Sequence, residues 1–182
     1  MLDTKNKVYS VNGDTPLHVA ARYGSHDTVQ LLLKRTDVDP NKENKNGDTP
    51  LHVAARYGLD DTAQLLLKRT DVDPNKENKD GDTPLHFAAR KGSHNIVRLL
   101  LERTDIDPNK GNEDGNTAFD IAAEAEHFKI VKLLLGRTTI DPRRVYEDGN
   151  TVLHKAARRE ELELVELLLE ISNIDPNQRN KV

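Results

Sequence analysis

The sequence predicts an all-α protein, built as a solenoid of five stacked helix–turn–helix units with hairpin-like loops between them. A twelve-residue phrase, GDTPLHVAARYG at residues 13–24, returns unchanged at residues 47–58 and as GDTPLHFAARKG at residues 81–92. The threonine of this phrase and a closing Asp-Pro pair both recur every 34 residues. A fixed period shared by two independent markers indicates a repeat architecture. The units are residues 12–45, 46–79, 80–113, 114–147 and 148–181, and with an N-terminal arm, residues 1–11, they form one domain, residues 1–182.

Each unit begins with a turn followed by a first helix. An Asn-Gly or Asp-Gly pair at the tip, such as Asn12-Gly13, favours a tight turn with positive φ. Thr15 is a suitable N-cap, and Pro16 suits the first helical position because no amide N–H is needed there. Leu17 and the alanines three and four residues later fall on one helical face. These small alanines predict close approach of a neighbouring helix.

A second helix is expected from about Ser25. Gly24 can end the first helix with positive φ, and Val29, Leu32 and Leu33 lie at the spacing of one buried face. The Asp-Pro pair then closes the unit, because the residue before a proline is pushed out of helical geometry. One unit cannot bury its apolar face alone, so we expect neighbouring units to share a continuous core.

Composition limits the classes of function. Apolar residues make up 35% of the chain and charged residues 32%, but the apolar residues are periodic, which favours a folded array over disorder. The net charge of −4 is mixed in sign and does not call for nucleic acid or a membrane as partner. Cysteine is absent, which excludes disulfides and thiolate metal sites. With no signal-peptide or membrane-spanning pattern, we expect an intracellular, cytoplasmic protein.

The stretch GDTPLHVAARYGSHDTVQLLLKR resembles an ankyrin repeat, and the resemblance covers about residues 12–181. It implies a non-enzymatic scaffold that binds a protein partner, still unidentified, and needs no cofactor. The period is one residue longer than the usual ~33. LLLKRTDVDPN replaces the glycine-containing exit of the second helix, which predicts a modified exit with intact stacking. Glu126 and Glu160 replace the glycine between the helices, which predicts either backbone strain or a longer helical turn there.

In ankyrin arrays the partner binds a concave face made of hairpin tips and the ends of the first helices. Arginine and tyrosine are common hot-spot residues, so they are the strongest candidates within this face. The resemblance therefore predicts these partner-binding residues: Arg22, Tyr23, Asp48, Arg56, Tyr57, Asp82, Arg90, Lys91, Asn116, Glu124, Arg158 and Arg159.

A row of threonine–histidine pairs is the most obvious pattern that suggests chemistry. Stacked helices lie ~8–10 Å apart, too far for the histidines of neighbouring units to share a zinc ion at ~2.0–2.1 Å. We therefore interpret them as braces of the helix starts and predict no metal site and no catalytic residue. Asp120 takes the histidine's place in unit four, where we expect a helix-start acceptor. The pairs are Thr15 with His18, Thr49 with His52, Thr83 with His86, and Thr151 with His154.

Two alternative functions remain open, and so does the way in which the first and last units are covered. The chain could be the binding segment of a larger multidomain protein, or the line of Arg22, Arg56, Arg90 and Arg158 could bind nucleic acid or another acidic surface. Lys155 replaces an apolar contact expected to face a following unit. Unit five therefore resembles a C-terminal cap with a wet outer face, which is also rich in glutamates: Glu160, Glu161, Glu163, Glu166 and Glu170. Unit one has no such device. Self-association or continuation into further sequence is expected there, unless Met1, Leu2, Val8 and Tyr9 of the arm cover it.

Overall fold

A computed structural model describes residues 12–137, 140–171 and 174–180. The N-terminal arm, including the cover expected from Met1, Leu2, Val8 and Tyr9, lies outside the described residues. Within them the secondary structure consists of ten α-helices and no strand, in five pairs, which confirms the predicted all-α fold. The helices are α1 (Pro16–Arg22), α2 (His26–Leu33), α3 (Pro50–Tyr57), α4 (Asp60–Leu67), α5 (Pro84–Lys91), α6 (His94–Leu101), α7 (Ala118–Glu124), α8 (Phe128–Leu135), α9 (Val152–Arg158) and α10 (Leu162–Glu170).

The turn between the paired helices requires a left-handed residue. Gly58 and Gly92 adopt φ of 68° and 77°, and the amide of the residue after each returns to the helix, as Leu59 does to Ala54. Glu126 and Glu160 hold the same conformation at φ 57°. A side chain at such a φ is strained by contact between Cβ and the backbone. The strain predicted for these two glutamates is therefore present.

Among the described residues, the second helix of each unit ends without a residue in the left-handed conformation. Lys68 follows α4 with right-handed φ and ψ of −68° and −22°, and the amide of Arg69 donates to the Leu66 carbonyl at 3.1 Å. The extra residue of the repeat therefore extends the exit, and stacking of the units is intact, as predicted. The Arg69 guanidinium then reaches the preceding unit, where its Nη1 donates to the Leu33 carbonyl at 2.8 Å.

The core is continuous along the array because small residues let the first helices approach closely. Ala54, Ala55, Ala88 and Ala89 are fully buried where α3 and α5 meet. Apolar side chains of the second helices, such as Leu100 in α6, fill the layer beneath them. Every pair of neighbouring units shares this packing, so no unit owns a core of its own.

The position after the helix-start histidine faces the preceding unit, so the prediction that it faces a following unit is wrong. Phe87 contacts the edge of the His52 ring in unit two, with ring centroids 5.8 Å apart. Val19, at the same position in unit one, is 39% exposed, whereas Lys155 is only 4% exposed. Lys155 is therefore not part of a wet outer face, whereas Glu163, Glu166 and Glu170 of α10 are exposed, as that prediction requires. The Lys155 ammonium pairs with Asp148 at 2.9 Å and lies 5.3 Å from the Tyr146 ring centroid.

Among the residues that the structure describes, no helix has the length and apolar character needed to cross a membrane.

Candidate partner-binding face

The first helices of units one to three start at a brace that also joins neighbouring units. In unit two, the His52 Nδ1 accepts the Thr49 backbone N–H at 3.0 Å, so the ring proton lies on Nε2. This Nε2–H donates to the Asp82 carbonyl of unit three at 3.0 Å. Burial lowers the pKa of His52 to about 4, and burial also lowers the pKa of His18 and His86. A neutral imidazole is therefore part of this brace.

The Thr–His pairs of units one, three and five have the same local geometry. Nδ1 of His18, His86 and His154 accepts the backbone N–H of the threonine three residues earlier at 3.0–3.3 Å. Asp120 serves in the same way in unit four, where its Oδ2 accepts the Thr117 N–H at 2.9 Å. No group of three or more metal-ligating side chains occurs in the described part of the chain.

A second network holds the arginines at the ends of the first helices. Arg56 donates to Asp48 of its own unit at 2.7 Å, and Arg90 donates to Asp82 at 2.8 Å. Asn78, in the hairpin arm at the end of the same unit, donates to the other oxygen of Asp48 at 2.9 Å. Burial raises the pKa of Asp82, but hydrogen bonds from Arg90 and from Asn112 outweigh it, so the pKa lies below the usual value.

Two of the residues predicted to bind a partner do not lie on the surface. Asp48 and Asp82 are only 3% and 5% exposed, so they lie beneath the surface rather than on it. Their carboxylates are buried because an arginine and an asparagine surround each of them, which satisfies the charge. The sequence alone could have suggested this network, because Asn44, Asn78 and Asn112 recur in phase with the aspartates.

The arginines also stack on aromatic rings of the next unit. The Arg22 guanidinium carbon lies 5.8 Å from the Tyr57 ring centroid, and that of Arg56 lies 4.1 Å from the Phe87 ring centroid. Contacts of this length are within the range of cation–π attraction. We name this surface the Arg–aromatic face and define it as Arg22, Tyr23, Arg56, Tyr57, Arg90 and Lys91.

Side chains of the Arg–aromatic face remain accessible although they are held in place. Tyr23 and Tyr57 are 58% and 45% exposed, while the Arg56 side chain is 41% exposed. Arg22 is the least accessible of the three arginines of this face, with a side chain 21% exposed and paired to Asp14. The face therefore combines broad exposed surface with fixed geometry.

The C-terminal half of the predicted site is arranged differently. Asn116 and Glu124 line one open groove of about 420 Å³, together with Tyr146. Burial raises the pKa of Tyr146 above its usual value. Arg158 and Arg159 both donate to the carboxylate of Glu126 in the strained turn of unit four.

The arginine line does not form an unbalanced basic stripe. Arg22, Arg56 and Arg90 each pair with an aspartate of the same unit, and Arg158 pairs with Glu126. Every arginine of this line therefore has an acidic partner, so the line carries no run of unpaired positive charge.

Comparison with known proteins agrees with this architecture. Residues 2–78 and 70–146 match a family model described as ankyrin repeats in three copies, and residues 148–181 match a single ankyrin repeat. The chain therefore belongs to the ankyrin-repeat family, whose repeats serve as protein-interaction scaffolds. No curated protein matches it.

A solved structure shows the same fold. The crystal structure of the ankyrin repeat domain of Bcl-3, described as a unique member of the IkappaB protein family, is 30% identical to this chain. The match covers 93% of this chain and 76% of that one, with a TM-score of 0.73.

Proposed function

We propose that this protein is a non-enzymatic scaffold that binds a protein partner through its Arg–aromatic face. The observation that carries this proposal is the exposed Arg56, held at one side by Asp48 and at the other by the Phe87 ring. A side chain that is already ordered loses little conformational entropy when a partner binds. Arginine and tyrosine are also the residue types that most often dominate binding energy.

The charges of this face favour a protein over nucleic acid. Affinity for nucleic acid depends on cations that neutralise phosphates. Arg22, Arg56 and Arg90 are already balanced by carboxylates, and the side chains of all three partner aspartates are buried. We therefore expect a partner with mixed polar and apolar surface, bound with weak dependence on salt.

The test begins with the full chain as bait and mass spectrometry of the captured proteins. The affinity of the identified partner is then measured for the wild type and for Tyr57→Ala, which removes an exposed ring and leaves the Arg56–Asp48 pair in place. We expect Y57A to weaken binding at least ~5-fold, which corresponds to ~1 kcal/mol. Arg56→Ala is a poorer test, because it would leave the buried Asp48 carboxylate without its cation.

The matched control is Leu31→Ala, which also removes an exposed apolar side chain, 66% exposed, but from the second helix of unit one. It should leave the affinity unchanged. Equal affinities for wild type and Y57A would place the site elsewhere. A fall in affinity by several orders of magnitude between low and moderate salt would instead favour nucleic acid or another acidic surface.

A further inference from the structure

Unit one presents an apolar surface that the interior units bury against the unit before them. Val19 is 39% exposed, whereas Val53 and Phe87 at the same position are 2% and 5% exposed. Pro16 is likewise exposed, although the first-helix prolines of units two and three are buried. Because Phe87 contacts His52 of the preceding unit, this is the side on which another helix pair would stack. We name it the leading face and define it as Pro16, Val19, Leu32, Arg35 and Lys42.

Arg35 on the leading face is arranged to donate to a helix end. In unit two, Arg69 holds Asp71 through Nε and Nη2 and donates from Nη1 to the Leu33 carbonyl of the preceding unit. Arg35 donates to Asp37 through the same two nitrogens, so its guanidinium lies against that carboxylate as Arg69 lies against Asp71. Its side chain is 64% exposed, against 25% for Arg69. The Nη1 of Arg35 is thus aimed where a preceding helix would end.

Lys42 favours a partner that carries a negatively charged group opposite it on the leading face. The lysine at this position in unit two, Lys76, pairs with Glu43 of unit one at 2.8 Å. In unit three, Lys110 pairs with Glu77 of unit two at 3.3 Å. Each pair joins a unit to the hairpin arm of the unit before it. Lys42 is exposed, so a partner that stacks in the same way would meet it with a carboxylate.

We propose that the leading face binds an ankyrin-type helix pair of another protein chain. The last helical turn of that pair would offer a carbonyl to Arg35, and its hairpin arm would carry a carboxylate opposite Lys42. This interaction is end-to-end stacking, so it is independent of binding at the Arg–aromatic face.

A second copy of this chain is a poor occupant, because its charges oppose stacking. Unit five exposes apolar Leu162 and Leu169, but Arg179 occupies the position of Glu43 and would meet Lys42. Lys132 of unit four pairs with Glu163 of unit five, and the corresponding contact between copies would join Glu166 to Asp27. Two like-charge contacts would replace two attractive ones, which discriminates against this partner.

The charge argument makes the leading face testable without knowing the natural partner. The full-length variant Arg179→Glu with Glu166→Lys gives unit five the charges that the leading face requires. We expect wild type to sediment as a monomer and this double variant to form larger species as its concentration rises, in low-salt sedimentation velocity. Adding Val19→Glu to the double variant should return it to a monomer. A control with matched net charge, Lys68→Glu with Glu113→Lys on interior units, should stay monomeric.

Three results would overturn the proposal. One is a double variant that keeps its native circular dichroism and stays monomeric at every concentration. Another is wild type that already assembles in a way sensitive to Val19→Glu, which would make a second copy the occupant. The third is assembly of the double variant only after deletion of residues 1–10, which would make this chain's own arm the occupant.

Discussion

Acid should destabilise this protein through its buried histidines, and His52 offers the sharpest test. The neutral His52 ring joins Thr49 to the Asp82 carbonyl of the next unit, and protonation would require Nδ1 to give up its role as acceptor. Burial lowers the pKa of His52 from an unfolded value of 6.5 to about 4. The unfolded chain therefore takes up this proton first as the pH falls.

The sign and size of the effect follow from linkage. The contribution of His52 is fully present above pH 6.5 and is lost as the pH falls toward the folded pKa. Each pH unit within this window reduces the free energy of unfolding by ~1.4 kcal/mol. The loss reaches ~3 kcal/mol near pH 4 and then levels off, because both states are protonated below that pH.

Urea unfolding at several pH values between 7 and 4.5 measures this loss. His52→Gln removes the titrating ring, so it should lower stability at pH 7 and give a shallower fall with acid than wild type. His18 and His86, together with paired carboxylates such as Asp82, leave a residual slope common to both proteins. His26→Gln, at an exposed position, is the control and should keep the wild-type slope. Equal slopes for wild type and H52Q would refute the reasoning.

Two further substitutions test the turns and the core. Glu160→Gly should raise the free energy of unfolding by up to ~1 kcal/mol in thermal melts, because glycine tolerates the φ of 57°. Glu126→Gly should gain less, because it also loses the ion pairs to both arginines of unit five; an equal gain would contradict this. Leu100→Ala should cost ~2–5 kcal/mol in urea unfolding, since the side chain is fully buried, whereas Leu31→Ala, at an exposed position, should cost under ~0.5 kcal/mol.

Local features of the fold were predictable because they depend on residues close in sequence. The 34-residue period, the Thr15 N-cap and the turn glycines all act within one unit. The strain at Glu126 and Glu160 follows from the same reasoning, since a left-handed position is required whatever residue occupies it. Such features are set by backbone geometry and capping, which the sequence displays directly.

Contacts between units were less accessible to sequence reasoning. A repeat shows that Val19, Phe87 and Lys155 are equivalent, but it does not show which neighbour they face. The structure turns this position toward the preceding unit, so Lys155 is buried where a wet surface was predicted. Asp48 and Asp82 were misassigned to the binding surface for a related reason. Their burial depends on an asparagine 30 residues later in the chain, in the hairpin arm that closes the same unit.

Unit four lacks the network of aspartate, arginine and asparagine that units one to three contain. A buried carboxylate is tolerated only with its hydrogen-bond partners, so losing one partner alone is costly. Unit four replaces the aspartate, arginine and asparagine of the network together, by Asn116, Glu124 and Tyr146. Restoring only the carboxylate, with Asn116→Asp, would place it beside Glu124 in the shared groove. We expect this single change to cost ~1 kcal/mol at low salt.

Supplying the missing arginine as well should restore the stability that Asn116→Asp loses. Adding Glu124→Arg to Asn116→Asp recreates the pair that Asp48 and Arg56 form in unit two at 2.7 Å. A double-mutant cycle in urea should therefore give a favourable coupling of at least ~0.5 kcal/mol, reduced by salt. Additive effects would mean that the carboxylate and the cation act separately, and the joint replacement in unit four would then need another cause. A measured coupling would show that the carboxylate and the cation of one unit stabilise each other, as the contact between Asp48 and Arg56 in unit two indicates.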